Sequence, residues 1–134
     1  MKKIMMIMAM FMLVIFNSCE NDCEETSTLA EQVSVHTFIR NVSYKTLKDI
    51  TVYGYKHYCD GTVHHTVVNL GWLPEGSTTS TYMTFNLSNT EDKVIIKVVA
   101  TGVDANGDEF KREESRTFRY DDFDYGGISL EIGL

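Results

Sequence analysis

From Gln32 onward the chain is written in short runs of Val, Ile, Thr, Tyr and Phe, broken at fairly regular intervals by turn residues, and no helical period is sustained. Branched and aromatic side chains suit a pleated, half-buried surface, so this pattern calls for strands and leaves no room for a helical core. The clearest run sets Val94, Ile96, Val98 and Ala100 against Ile95, Lys97, Val99 and Thr101. Successive side chains of a strand point to opposite faces, which makes the even positions the expected core face. The other face is only half polar, as in a sheet whose outer surface is partly covered.

Breaks at Asn41 to Lys45, Asp60-Gly61, Pro74-Glu75-Gly76, Ser88 to Asp92, Asn106-Gly107 and Asp121 to Gly127 divide the domain into seven expected strands, near 33–40, 48–59, 62–70, 79–87, 93–104, 108–119 and 127–133. Asp60-Gly61 and Asn106-Gly107 are dipeptides that tolerate positive φ at both central positions, as a two-residue type I′ hairpin demands. The second and third strands, and the fifth and sixth, are therefore expected to be antiparallel neighbours. Seven antiparallel strands in about 100 residues is the count of an immunoglobulin-like sandwich, with a transthyretin-like arrangement as the alternative.

Ahead of this domain stand a short basic segment, Met1-Lys2-Lys3, and thirteen apolar residues from Ile4 to Phe16. That run fits a signal-peptide core and is too short for a transmembrane helix, which needs about 20 apolar residues. Residues 1–18 are therefore expected to be an export signal, 19–31 an acidic flexible tether, and 32–134 the β domain. Removing residues 1–18 shortens the chain from 134 to 116 residues, enough for one core. Loss of Lys2 and Lys3 takes the basic residues from 12 to 10 against 19 acidic ones, a formal charge of −9 that excludes nucleic acid as a natural partner.

Ser18 followed by Cys19, with Glu20, Asp22, Glu24 and Glu25 behind, resembles the processing site of a bacterial lipoprotein precursor. Phe16 and Asn17 stand where the strict motif has Leu and a small residue, which suits the looser form seen in the Bacteroidota. The resemblance implies cleavage between Ser18 and Cys19, lipid attachment at Cys19, and anchoring through acyl chains in the outer membrane. In that phylum such an acidic run resembles the signal for the outer, surface-exposed face. Two or three acyl chains, at about 0.8 kcal/mol per buried methylene, hold a protein firmly without spanning the bilayer. Phe38-Ile39-Arg40-Asn41-Val42-Ser43 through Leu47-Lys48-Asp49-Ile50-Thr51-Val52, and then Leu73-Pro74-Glu75-Gly76-Ser77, resemble the "N-x-S/T … L-x-D-V-x-V" opening and "L-x-x-G-x-S" turn of small extracytoplasmic immunoglobulin-like domains. Such domains are commonly binding or spacer modules, and the motifs carry no catalytic residues.

Exported proteins meet an oxidising compartment, so Cys23 and Cys59 are chemically able to form a disulfide, but Cys23 lies in the polar tether and free thiols, or an intermolecular pair, are the expectation. A two-residue loop at Asp60-Gly61 would also set His57 opposite His64 beside Cys59 on one face, a candidate zinc or copper site that lacks a fourth ligand. The plainer reading is an exposed hairpin with solvated histidines and Tyr53 and Tyr55 beside them.

Asp104-Ala105-Asn106-Gly107-Asp108-Glu109 has oxygen ligands at alternate positions, but Glu109 and Ser115 stand where an EF-type loop needs Gly and Glu, so a hairpin turn is expected. Asp121, Asp122 and Asp124, with Phe123 and Tyr125, are expected to face their carboxylates to water and pack their rings down. Tyr44, Tyr53, Tyr55, Tyr58, Trp72, Tyr82, Tyr120 and Tyr125 are expected mostly in the core; several exposed on one face would offer a sugar stacking platforms.

No phosphate loop, nucleophile elbow, His-Glu-x-x-His or paired-cysteine zinc pattern is present. The sequence thus points to a lipid-anchored, non-catalytic binding or structural module with no cofactor. A metal-handling protein and a glycan-binding accessory protein are the alternatives.

Overall fold

The computed structural model of the chain describes residues 31–59, 61–88, 90–123 and 126–134. The leader, Cys19 with its expected lipid, the acidic run and Cys23 lie outside the described residues. Seven strands run through those that are described: β1 (Glu31–Arg40), β2 (Leu47–His57), β3 (Val63–Leu73), β4 (Thr78–Leu87), β5 (Lys93–Val103), β6 (Glu109–Arg119) and β7 (Gly127–Gly133). They form two sheets, ordered β4-β1-β7 and β3-β2-β5-β6. The chain crosses between sheets after β1, β3, β4 and β6, and the β2–β3 and β5–β6 hairpins are joined side by side through β2–β5. This is an all-β sandwich of a three-stranded and a four-stranded sheet.

One pairing departs from an all-antiparallel expectation. β7 runs parallel to β1, with Ser34 opposite Gly127 and Arg40 opposite Gly133. Only a tight turn forces antiparallel pairing, and β7 reaches β1 by a crossover from the other sheet, so its direction is free.

The core lies between the two inner faces. Val33, Val35 and Ile39 of β1, Met83, Phe85 and Leu87 of β4, and Leu130 and Ile132 of β7 meet Ile50 and Val52 of β2 and Val94, Ile96, Val98 and Ala100 of β5. The even positions of β5 are the buried ones, as their alternation requires. Gly54 lies on the same inner face, where a Cβ would sit 2.6 Å from Met83 Sδ and 2.8 Å from Phe85 Cζ, so the sheets approach closely enough there to exclude any side chain. The large aromatics are mostly not core: Tyr44, Trp72 and Tyr82 are 91, 68 and 61 % exposed. Branched aliphatics fill the narrow interior instead.

Both hairpin loops contain three residues, where two are expected. Tyr58 N–H donates to Thr62 C=O (2.9 Å) and Gly61 N–H to Tyr58 C=O (3.0 Å). Asp104 and Asp108 repeat the arrangement, with Gly107 N–H donating to Asp104 C=O at 3.0 Å. Gly61 and Gly107 take φ of +86° and +85° at the third loop position, the left-handed residue of a turn closed by a bulge. Each loop is one residue longer than a type I′ hairpin, and each facing register shifts accordingly.

Two buried polar clusters close the ends of the sandwich. At one end Asn41 is fully buried: its amide donates to Lys45 C=O (2.7 Å) and Leu73 C=O (3.0 Å), and its side-chain oxygen accepts from Ser43 N–H (3.0 Å). Its backbone N–H donates to Ser77 C=O (2.9 Å) and its C=O accepts from Gly76 N–H (3.0 Å). The two segments that resemble extracytoplasmic immunoglobulin-like domains are thus one hydrogen-bonded knot. At the other end Lys56 and Asp92 are buried together, and Lys56 Nζ also donates to Asn86 C=O and lies 4.0 Å from the Tyr58 ring centroid.

Candidate functional site

The loop length decides the fate of the candidate metal site. His57 lies opposite Val63, and His64 opposite Lys56. Directly opposed residues share a face and neighbours alternate, so the two imidazoles project from opposite faces of the sheet. Cys59 is disulfide-bonded, which removes the thiolate a soft metal ion needs. The candidate set of His57, Cys59 and His64 is therefore not brought together, and among the described residues no three His, Cys, Asp or Glu side chains gather as a metal site.

The Asp104 loop is a hairpin turn whose carboxylate serves the loop itself. Asp104 Oδ1 accepts the N–H of Asn106 (2.8 Å) and of Asp108 (3.0 Å). These donors, Asp108 first, hold its carboxyl below the usual carboxylate range. In the loop before β7, Phe123 packs beside Phe118 with ring centroids 6.0 Å apart, while Asp122 Oδ2 accepts the Arg119 N–H at 2.7 Å. Asp124 and Tyr125 lie outside the described residues.

Two outer faces carry aromatic residues. On the four-stranded sheet Tyr53 and Tyr55 stand nearly parallel, 6.2 Å apart, with His65 6.4 Å from Tyr55. The charges around them already satisfy one another, since Glu113 meets both Lys97 (3.4 Å) and Lys111 (2.5 Å). These two hydrogen bonds, Lys111 first, hold the Glu113 carboxyl down.

The outer face of β4-β1-β7 is different. The strand register lays Tyr82, His36 and Ser129 in one row, Ser80, Phe38 and Glu131 in the next, and Thr78, Arg40 and Gly133 in the third. His36 and Phe38 pack with ring centroids 4.1 Å apart, and Tyr82 meets His36 edge-on at 6.0 Å. The result is an aromatic ridge on β1 and β4 bordered by the small residues Ser80, Ser129 and Gly133. A groove of about 550 Å³ lies where Phe38, Arg40, Val42, Gly76 and Glu131 surround it, and a second of about 390 Å³ lies beside His36, Tyr82, Gly127 and Ser129. Among the described residues neither Arg40 nor Glu131 enters an ion pair, so both heads are open to an incoming group.

Of this face, sequence reasoning offers Tyr82 alone as a stacking platform, while Phe38 and Arg40 enter only as part of a structural motif. His36 and Phe38 alternate on β1 with the inward Val35, Thr37 and Ile39, and that period-2 pattern is the signal that could have placed them outside. No hydrogen bond joins His36 to Ser129 among the described residues, so the row does not assemble a nucleophile with its base. No protein-family model, no curated protein and no solved structure matches this chain.

Proposed function

We propose that the protein is a lipid-anchored, surface-exposed, non-catalytic binding module, tethered through acyl chains on Cys19 in the outer membrane, with the outer face of β4-β1-β7 as its contact surface. The observation that carries the binding role is the ridge of half-buried His36 and Phe38 and exposed Tyr82, flanked by two grooves, the larger of which holds Arg40 and Glu131, neither of them in an ion pair among the described residues. Rings held by strand packing offer contact area at low entropic cost, and open charges at the groove supply direction. The anchoring role rests on the leader, on Ser18-Cys19 and on the acidic residues that follow.

The same ridge favours a glycan as the ligand. A pyranose presents a flat C–H face that stacks on an aromatic ring, and its hydroxyls meet Ser80, Ser129, Arg40 and Glu131 along the border. Affinity electrophoresis of the exported domain in gels containing soluble polysaccharides tests this, with Phe38→Ala and Tyr82→Ala as controls. The reading expects retardation by at least one polysaccharide class and its loss in both variants, without change in unfolding midpoint for the exposed Tyr82. Retardation that survives both substitutions moves the binding surface elsewhere. Mobility unchanged by every polysaccharide removes the glycan reading and turns the search to a protein ligand.

A further inference from the structure

Cys59 is disulfide-bonded, and it is the only cysteine among the described residues; the others in the chain are Cys19 and Cys23. Its surroundings show where a partner must arrive. Cys59 N–H donates to Asp92 Oδ1 at 3.3 Å, and Ser88 N–H donates to Asp92 Oδ2 at 3.1 Å. Ser88 directly follows Leu87, the residue that pairs with Glu31 at the start of β1. Glu31 is held there a second time, since the Tyr120 hydroxyl donates to its carboxylate at 2.6 Å. The topology therefore brings Cys59 beside the point where the chain enters the domain. The eight residues from Cys23 to Glu31 span at most about 28 Å when extended, ample for that approach.

We propose that Cys23 is the partner of Cys59, so that the acidic segment behind the lipidated residue is stapled to the β2–β3 loop. The choice between the two cysteines rests on the anchoring reading, because a lipid thioether removes Cys19 from competition. In forming the bond the two thiols give up two protons and two electrons to a disulfide-bearing oxidant of the exported compartment, which leaves as its dithiol. The staple leaves only three residues, Glu20, Asn21 and Asp22, between the acyl anchor and a fixed point of the domain, four backbone steps that span at most about 14 Å. The Cys59 end is then held at the membrane. The ten residues of β1 carry the chain about 30 Å away from it, so the groove at Arg40, Val42 and Gly76 is presented at the far end, facing outward.

Peptide mapping of the full-length protein, extracted from membranes in detergent and alkylated without reduction, tests the pairing. Glutamyl endopeptidase cuts after Glu20 and Glu24 and so separates Cys19 from Cys23. The expected result is a Cys23–Cys59 peptide pair that splits on reduction, beside a Cys19 peptide carrying acyl mass. A Cys23→Ser variant is expected to leave Cys59 reactive to maleimide. Cys59 alkylated without reduction while Cys19 is acylated overturns the staple and spares the anchor. A Cys19–Cys59 pair overturns both. A Cys23–Cys59 pair beside unacylated Cys19 keeps the staple and removes the anchor.

Discussion

Lys56 Nζ lies 3.9 Å from Asp92 Oδ2, and their side chains are only 6 % and 1 % exposed. Asp92 also receives the N–H groups of Cys59 and Ser88, so one carboxylate holds the end of β2 against the β4–β5 connection. Removing it leaves a buried ammonium without its counter-charge and orphans two donors. Asp92→Ala is predicted to cost about 3 to 5 kcal/mol in urea unfolding. Lys56→Met is predicted to cost less, because Asp92 keeps its backbone donors. Equal losses from the two substitutions would contradict this ordering.

The Asn41 knot predicts a similar sensitivity at the opposite end. Asn41→Ala removes two donors and an acceptor while leaving Lys45 C=O, Leu73 C=O and the Ser43 N–H buried without it. An unsatisfied buried group costs about 1 to 3 kcal/mol, so a loss of about 3 kcal/mol or more is expected. Thermal and urea unfolding both read it, and a shift under 1 kcal/mol would show that water replaces the amide.

Thr37 points the other way. Its hydroxyl is fully buried on the inner face of β1 with no hydrogen-bond partner among the described residues. Thr37→Val keeps the shape and the β-branched stem while discarding an unpaired polar atom. The variant is predicted to be more stable by about 1 kcal/mol. A destabilised Thr37→Val protein would mean that the hydroxyl finds a partner in solution.

Acid stability has a local contribution at the β5–β6 turn. The Asp104 carboxyl is held down, chiefly by the Asp108 N–H and then by the Asn106 N–H. A carboxyl depressed in the folded state stabilises it above the unfolded-state value, about pH 3.9, and the contribution is lost as pH falls through the lower folded value. The advantage of the wild type over Asp104→Asn, measured as urea midpoint, is therefore predicted to shrink below about pH 4. A gap that stays constant from pH 6 to pH 2.5 would assign the effect to something other than this carboxylate.

Strand positions and core faces were legible because period-2 alternation reports burial directly. Val94, Ile96, Val98 and Ala100 needed no tertiary information, and both expected hairpins form. Loop length was not legible. Asp-Gly and Asn-Gly serve a two-residue turn and a three-residue turn equally well, because both need a left-handed glycine and differ only in which position it occupies. One residue of register then sent His64 to the opposite face from His57 and dissolved the candidate metal site. The proposed binding face was hidden for another reason. His36, Phe38, Tyr82, Arg40 and Glu131 come from three strands far apart in the chain, and only the β4-β1-β7 order puts them side by side. Lys56 and Asp92 were missed likewise, since nothing local marks a charged residue as buried.

The anchor at Cys19 is the central claim, because the direction in which the groove faces and the ligands it can meet both follow from it. The decisive measurement is metabolic labelling with palmitate followed by external protease on whole cells. It compares wild type with Cys19→Ala and with a variant whose acidic residues 20–25 are neutralised. The wild type is predicted to take up label and to be cleaved from outside, Cys19→Ala to lose the label, and neutralisation to protect the labelled protein from protease. Unlabelled wild type, or label undiminished in Cys19→Ala, would contradict the account.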